Sequence, residues 1–285
     1  MRWSAGGRSS NLEDRRGEGG GGFGGRSMGI GGTVILLILS LVFGRDFISG
    51  SGDQAGPVPG QTTSGGEVGP IQSTPTEEHA VDFTSAVLDS VQTAWARVLP
   101  AQTGQQYQDA KLAVYRDAVR TGCGTAPSSV GPFYCPNDQH VYIDMSFYDE
   151  LRQRFGAPGD FAQAYVIAHE LGHHVQHLLG TDAQVRRAEQ RDPSAANALS
   201  VRLELQADCY AGVWAKSDQQ LLEPGDVDEA LAAASAVGDD RLQRQARGSV
   251  NPDTFTHGTA AQRASWFKRG FMSGDVKACD TFGQS

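Results

Sequence analysis

The chain has 285 residues, 39% of them hydrophobic and 20% charged, with a formal net charge of −9. This is enough apolar material for one domain of ordinary size with appendages. The acidic balance, with no concentrated Lys/Arg face, argues against nucleic acid as a partner.

Residues 1–27, MRWSAGGRSSNLEDRRGEGGGGFGGRS, are rich in Gly and Arg and poor in apolar side chains, so a solvated Gly/Arg-rich tail is expected. Residues 28–48 begin with seventeen uncharged positions, Met28 to Gly44, and add Phe47 and Ile48. That length meets the lower limit for one bilayer crossing, and no Ala-x-Ala-like cleavage site accompanies it, so an uncleaved transmembrane helix is expected. Arg2, Arg8, Arg15, Arg16 and Arg26 precede the run, whereas only Arg45 follows closely. The positive-inside rule then puts the tail in the cytoplasm and the bulk of the chain outside, held at the cell membrane by this single N-terminal span. Residues 49–76 are mostly Gly, Ser, Pro and Thr and read as a flexible linker. The folded domain is expected over residues 77–285.

Within the domain, Val81, Val87, Leu88, Val91, Trp95 and Val98 recur at helical spacing, with Thr76 as the candidate cap. YQDAKLAVYRDAV is ambiguous. Val141 to Ile143 is the best strand candidate, and SFYDELRQRFG after it reads as a helix ended by Gly156. A long helix is expected from Asp160, the candidate N-cap, to a stop at Gly180. Further helices are expected over 195–216, over 226–247 and from about Thr259. GDDR, Gly238 to Arg241, reads as an interruption with a local ion pair. The fold class is therefore α+β, mostly helical with a small sheet.

All four cysteines, Cys123, Cys135, Cys209 and Cys279, fall in the domain, and an even count suits disulfides in an oxidising compartment. Of three pairings, Cys123–Cys135 is favoured because it closes a Gly/Pro-rich loop, which leaves Cys209–Cys279. A cysteine metal site competes with this reading, but the chain has no Cys-x-x-Cys pair.

His169, Glu170 and His173 form His-Glu-x-x-His. On a helix, positions four apart share a face, so both imidazoles can reach one ion, with Glu170 beside them as the base that activates water. The pattern alone also fits a helix whose histidines are satisfied by backbone or solvent. A third ligand is required. The extension His-x-x-Gly-x-x-His is not present downstream of His173. Glu204 and Asp208 lie one turn apart on a largely apolar segment, Leu203 to Val213. Acids on such a helix want a cation, so Glu204 is the candidate ligand and Asp208 the acceptor that orients a ligand imidazole. A solvated helix face is the competing reading of both.

His-Glu-x-x-His followed by Glu-x-x-x-Asp resembles the gluzincin branch of zinc metallopeptidases. MRW, SSNLEDRRG, GPFYCP, VYIDMSFYDEL, AHELGHHVQ, ELQADCYAGVWA, GDDRLQ and HGTAAQR together resemble the bacterial "putative neutral zinc metallopeptidase" family. That resemblance implies a zincin-like fold, Zn2+ as cofactor, and peptidase activity on protein or peptide substrates. It implies ligands His169, His173 and Glu204, and Glu170 as catalytic base. By similarity to related zinc peptidases, His257 becomes a candidate for hydrogen-bonding the oxyanion; capping the last helix is its other reading. Arg263 reads as an ion-pair partner, and His174 and His177 as turned away from the ligand face. Tyr134 and Tyr142 are candidates for lining a substrate groove, with packing as the alternative. A metal-stabilised envelope binding or scaffold module with little hydrolysis shares these ligands. Glu170 favours the enzyme, because a structural site does not need an acid there.

Overall fold

The structure, a computed structural model, describes residues 1–4, 6–18, 71–153 and 159–283. The candidate transmembrane helix at 28–48 and most of the linker at 49–76 lie outside these residues. Among the described residues no helix is long and apolar enough to cross a membrane.

A four-stranded sheet forms one layer. Its order is β1 (Leu12–Asp14), β2 (Lys111–Tyr115), β6 (His140–Asp144), β5 (Phe133–Cys135). The first three strands run parallel and β5 is antiparallel to β6. The hairpin of β3 (Ala118–Thr121) and β4 (Gly124–Pro127) is a separate two-stranded sheet. Side chains alternate along β2, as the period of a strand requires. Leu112 and Val114 enter the main core, whereas Ala113 and Tyr115 join Val119, Ala126 and Tyr142 in a smaller cluster. Cys123–Cys135 ties the hairpin region to β5.

Helix α1 (Pro75–Thr103) is capped by Thr74, not Thr76: its side chain accepts from the Glu77 amide at 3.2 Å. Val81, Val87, Leu88, Val91, Trp95 and Leu99 turn its apolar stripe into the main core. After α2 (Phe147–Gln153) comes α3 (Asp160–Leu178), whose N-cap is Gly159. Asp160 is therefore its first residue, not its cap, and its carboxylate accepts from the Met1 ammonium at 2.9 Å. Gly180, at φ 73°, takes the left-handed conformation that separates α3 from α4 (Thr181–Arg191). Then come α5 (Ala196–Ser217), α6 (Asp226–Ala236), α7 (Asp239–Arg247) and α8 (Ala260–Ser273). The helical stretch expected over 226–247, with an interruption at GDDR, is two helices broken at Gly238. Thr259 and Gln262 form a reciprocal capping box on α8.

Close backbone approaches set the spacing of α3, α5 and α8. A Cβ on Gly270 of α8 would overlap the Cys209 carbonyl of α5, and one on Gly212 would overlap the Phe267 carbonyl. A Cβ on Gly172 of α3 would lie 3.0 Å from the Ala207 carbonyl oxygen of α5. Cys209–Cys279 closes the other side of α5.

The tail expectation is corrected for residues 1–18. These residues pack on the domain: Leu12, Glu13 and Asp14 pair with Leu112, Ala113 and Val114. Trp3 packs edge-on against Phe83. The side chain of Arg16 is 1% exposed and pairs with Asp14 and Glu78. Arg8 and Arg16, which read as part of a solvated positive flank, are instead ion-paired with α1.

Candidate active site

Helix α3 carries His169, Glu170 and His173; α5 runs beside it and carries Glu204 and Asp208. The Gly172–Ala207 approach lets the two backbones come close enough for their side chains to share a centre. His169 Nε2 lies 3.1 Å from Glu204 Oε2, and His173 Nε2 lies 3.4 Å from Glu204 Oε1. The three ligand atoms fall within 4.8 Å of one another. Tetrahedral zinc with bonds of about 2.0–2.1 Å places its ligands roughly 3.3–3.4 Å apart. Two imidazoles and a carboxylate at these separations fit the ion.

The far nitrogens of both rings are held. Asp208 Oδ1 is 2.9 Å from His169 Nδ1. Asp208 itself is fully buried, and it is braced by the Arg263 guanidinium, whose Nε donates to Oδ2 at 2.8 Å and Nη2 to Oδ1 at 2.9 Å. The Tyr165 hydroxyl also donates to Asp208. His173 Nδ1 donates to Gln176 Oε1 at 2.8 Å, and Gln176 Nε2 donates to the Leu203 carbonyl and Gln206 Oε1. Gln206 in turn donates to the Cys279 carbonyl, so the Cys209–Cys279 bridge lies at the end of a chain that begins at His173. These hydrogen bonds fix each ring so that Nε2 points at the shared centre.

The charges diverge as a working site requires. Burial would raise the Glu204 carboxyl, but His173 and His169 hold it well below the usual range. Burial also raises Glu170, and there it prevails over the neighbouring imidazoles. For Asp208, Arg263 and His169 outweigh burial and keep the carboxyl low. One glutamate's carboxyl is held low and the other's is pushed up.

These groups open into a cavity of about 560 Å³. Glu170, His257 and Arg263 line its polar part, and Val130, Phe133, Val166, Leu203, Val237 and Leu242 line its apolar part. Tyr134, on the edge strand β5, also lines it, whereas Tyr142 does not and donates to Asp138 instead. His257 sits in the loop before α8. Its Nδ1 lies 3.2 Å from Asp239 Oδ1, and the other Asp239 oxygen accepts from the amides of Thr256, His257 and Gly258. Asp239 was expected in a local ion pair and instead orients His257. His174 is buried between the Tyr134 hydroxyl and the Gln108 carbonyl, and His177 meets Asp182; both lie off the centre.

Sequence reasoning passed over Gln176 and Asp239. Gln176 had a signal, three residues after His173 on the same helical face. Asp239 had none, since its partners lie in a distant loop.

Two imidazoles, one carboxylate and an adjacent buried glutamate on a cleft floor are the donor set of zinc-dependent peptide hydrolases. The chain belongs to the putative neutral zinc metallopeptidase family, whose profile matches residues 1–282. Zinc is the cofactor this family implies. The uncharacterized protein YpfJ of Escherichia coli strain K12 is similar over 292 residues, 51% identical, with 100% of each chain covered. An uncharacterized protein of Mycobacterium tuberculosis is 48% identical over 207 residues, covering 68% of each chain. No solved structure matches the chain.

Proposed function

We propose that this protein is a zinc-dependent endopeptidase with a zincin-like domain, held at the cell membrane through residues 28–48 and acting on proteins or peptides outside the cytoplasm. One observation carries the reading: His169, His173 and Glu204 converge beside buried Glu170 on the floor of an open cavity. The disulfides Cys123–Cys135 and Cys209–Cys279 support an oxidising compartment.

When bound, zinc polarises a carbonyl and draws the pKa of water towards neutrality. The protein's own groups supply the rest. An extended substrate lies along the free edge of β5, whose backbone groups offer strand-like pairing. Glu170, its carboxyl raised by burial, takes the proton of the attacking water and passes it to the departing amine. His257, oriented by Asp239, donates to the oxygen on which negative charge develops. Asp208 and Gln176 keep the ligand rings from rotating.

Glu170→Gln in the full-length chain tests this. It should bind about one zinc per chain, as the parent does, and lose at least about a hundredfold in hydrolysis of an unfolded protein substrate. Equal cleavage by variant and parent would remove Glu170 from the mechanism. Zinc binding by the parent with no hydrolysis of any unfolded protein would favour a metal-stabilised binding module.

A further inference from the structure

We infer that residues 1–18 occupy the same compartment as the active site, so that the chain makes no net membrane crossing between Glu18 and Ile71. The inference does not depend on the peptidase reading. It rests on how fully this segment is built into the domain.

Strand β1 covers the free edge of β2, with the Leu112 amide donating to the Asn11 carbonyl at 2.9 Å and the Arg15 amide to the Val114 carbonyl at 2.8 Å. Part of the polar face of α1 meets the same segment. Arg16 pairs with Glu78, and Arg8 with Glu78 and Asp82. The Ser9 amide donates to Ser85 Oγ at 2.6 Å, and its hydroxyl donates to Asp89. Met1 is 7% exposed within the main core, and Arg2 donates through its backbone to the Leu221 carbonyl at 2.7 Å. Withdrawing residues 1–18 would bare one edge of the sheet and take Arg8 and Arg16 away from Glu78 and Asp82 of α1. Both changes are costly.

A single crossing between 18 and 71 would require that withdrawal. Two crossings would restore both flanks to one side, but they need about forty apolar residues, and between residues 18 and 71 the sequence has one long apolar run, the eighteen uncharged residues 27–44. The charge signal for a crossing is weak once the contacts are known. Of the four arginines in residues 1–18, Arg8, Arg15 and Arg16 are all ion-paired in the folded chain. Residues 1–18 are therefore expected on the side of the membrane on which the site stands. This replaces the cytoplasmic tail expected from the arginines.

Ser10 and Gln190 are both exposed. Ser10→Cys and Gln190→Cys in the full-length, membrane-borne protein are to be treated with a membrane-impermeant maleimide before and after permeabilisation. The native cysteines are all in disulfides. Reaction of both positions in intact cells is the expected result. Reaction of both only after permeabilisation would keep the inference and overturn the outward placement of the site. Reaction of one before and the other only after would overturn the inference. Thermal unfolding of Arg16→Ala and Arg16→Lys in the same membranes gives a second readout that does not need labelling. A fall of several degrees for Ala and a smaller one for Lys is expected; no change in either means that the segment is not docked.

Discussion

Asp239 Oδ2 accepts from three consecutive amides, those of Thr256, His257 and Gly258, at 2.7, 2.6 and 3.0 Å, while its other oxygen lies 3.2 Å from His257 Nδ1. One buried carboxylate thus fixes both the loop and the ring. Burial opposes a charged His257, but the bond to Asp239 and the nearby Glu204 outweigh it and raise the imidazole pKa. His257→Phe is expected to lower kcat by about 10²–10³ with little change in KM, and Asp239→Asn to act in the same direction less strongly. Steady-state kinetics will show it; a change confined to KM would assign His257 to substrate binding.

Asp208 carries a different burden. Its contact with His169 positions a ligand, and Arg263 keeps it ionised at 0% exposure. Asp208→Asn should weaken zinc binding about 10–100-fold, read by competition with a chelating dye. Because the substitution also disturbs a buried ion pair, thermal unfolding of the metal-free variant should be measured beside it. An unchanged zinc affinity would leave Asp208 a purely structural role.

Metal binding should be linked to pH through His169. In the metal-free protein, burial works against the charged ring, but Asp208 and Glu204 outweigh it and raise the pKa to about 10. The group's folded pKa lies above its unfolded value near 6.5. Its contribution to metal-free stability is therefore complete below about pH 6.5 and is lost as pH rises through about 10. Zinc must displace this proton. Calorimetry in buffers of different ionisation enthalpy should show proton release at pH 7, and affinity should rise by about tenfold per pH unit from this group alone. Binding without proton release would contradict the charge state assigned to His169.

Gly270→Ala tests the helix crossing that delivers Arg263 to Asp208. The added methyl would overlap the Cys209 carbonyl, a backbone atom held in place by the Cys209–Cys279 bridge. Overpacking of this kind should cost about 3 kcal/mol, lowering the unfolding midpoint in a thermal scan. Unchanged stability would mean that α5 and α8 can separate freely.

The catalytic half of the site was legible because its geometry is local. His169, Glu170 and His173 sit on one helix, and Glu204 and Asp208 are one turn apart on another, so helical periodicity alone brings each set to one face. Both disulfides were legible for a similar reason, one by its short loop and the other by elimination. Asp239 was not, because its partners lie 17 to 19 positions away and nothing in GDDR announces them. Residues 1–18 were misread for the same cause on a larger scale. Arg16 finds Glu78 across 62 positions, so its charge looked free and was counted as a topological signal. Cap positions moved by a residue or two, Thr76 to Thr74 and Asp160 to Gly159, which is the precision that such local signals carry.

Gly172 touches no ligand atom, yet its bare Cα is what lets α5 approach to where a Cβ would be 3.0 Å from the Ala207 carbonyl oxygen. A methyl group there would move Glu204 away from both histidines by a few tenths of an ångström, with every ligand unchanged in kind. That displacement is sizeable against the tolerance of a zinc–carboxylate bond, since such bonds span only about 2.0–2.2 Å. The spacing of two helices, set by one missing side chain, therefore fixes how near Glu204 stands to the two imidazoles.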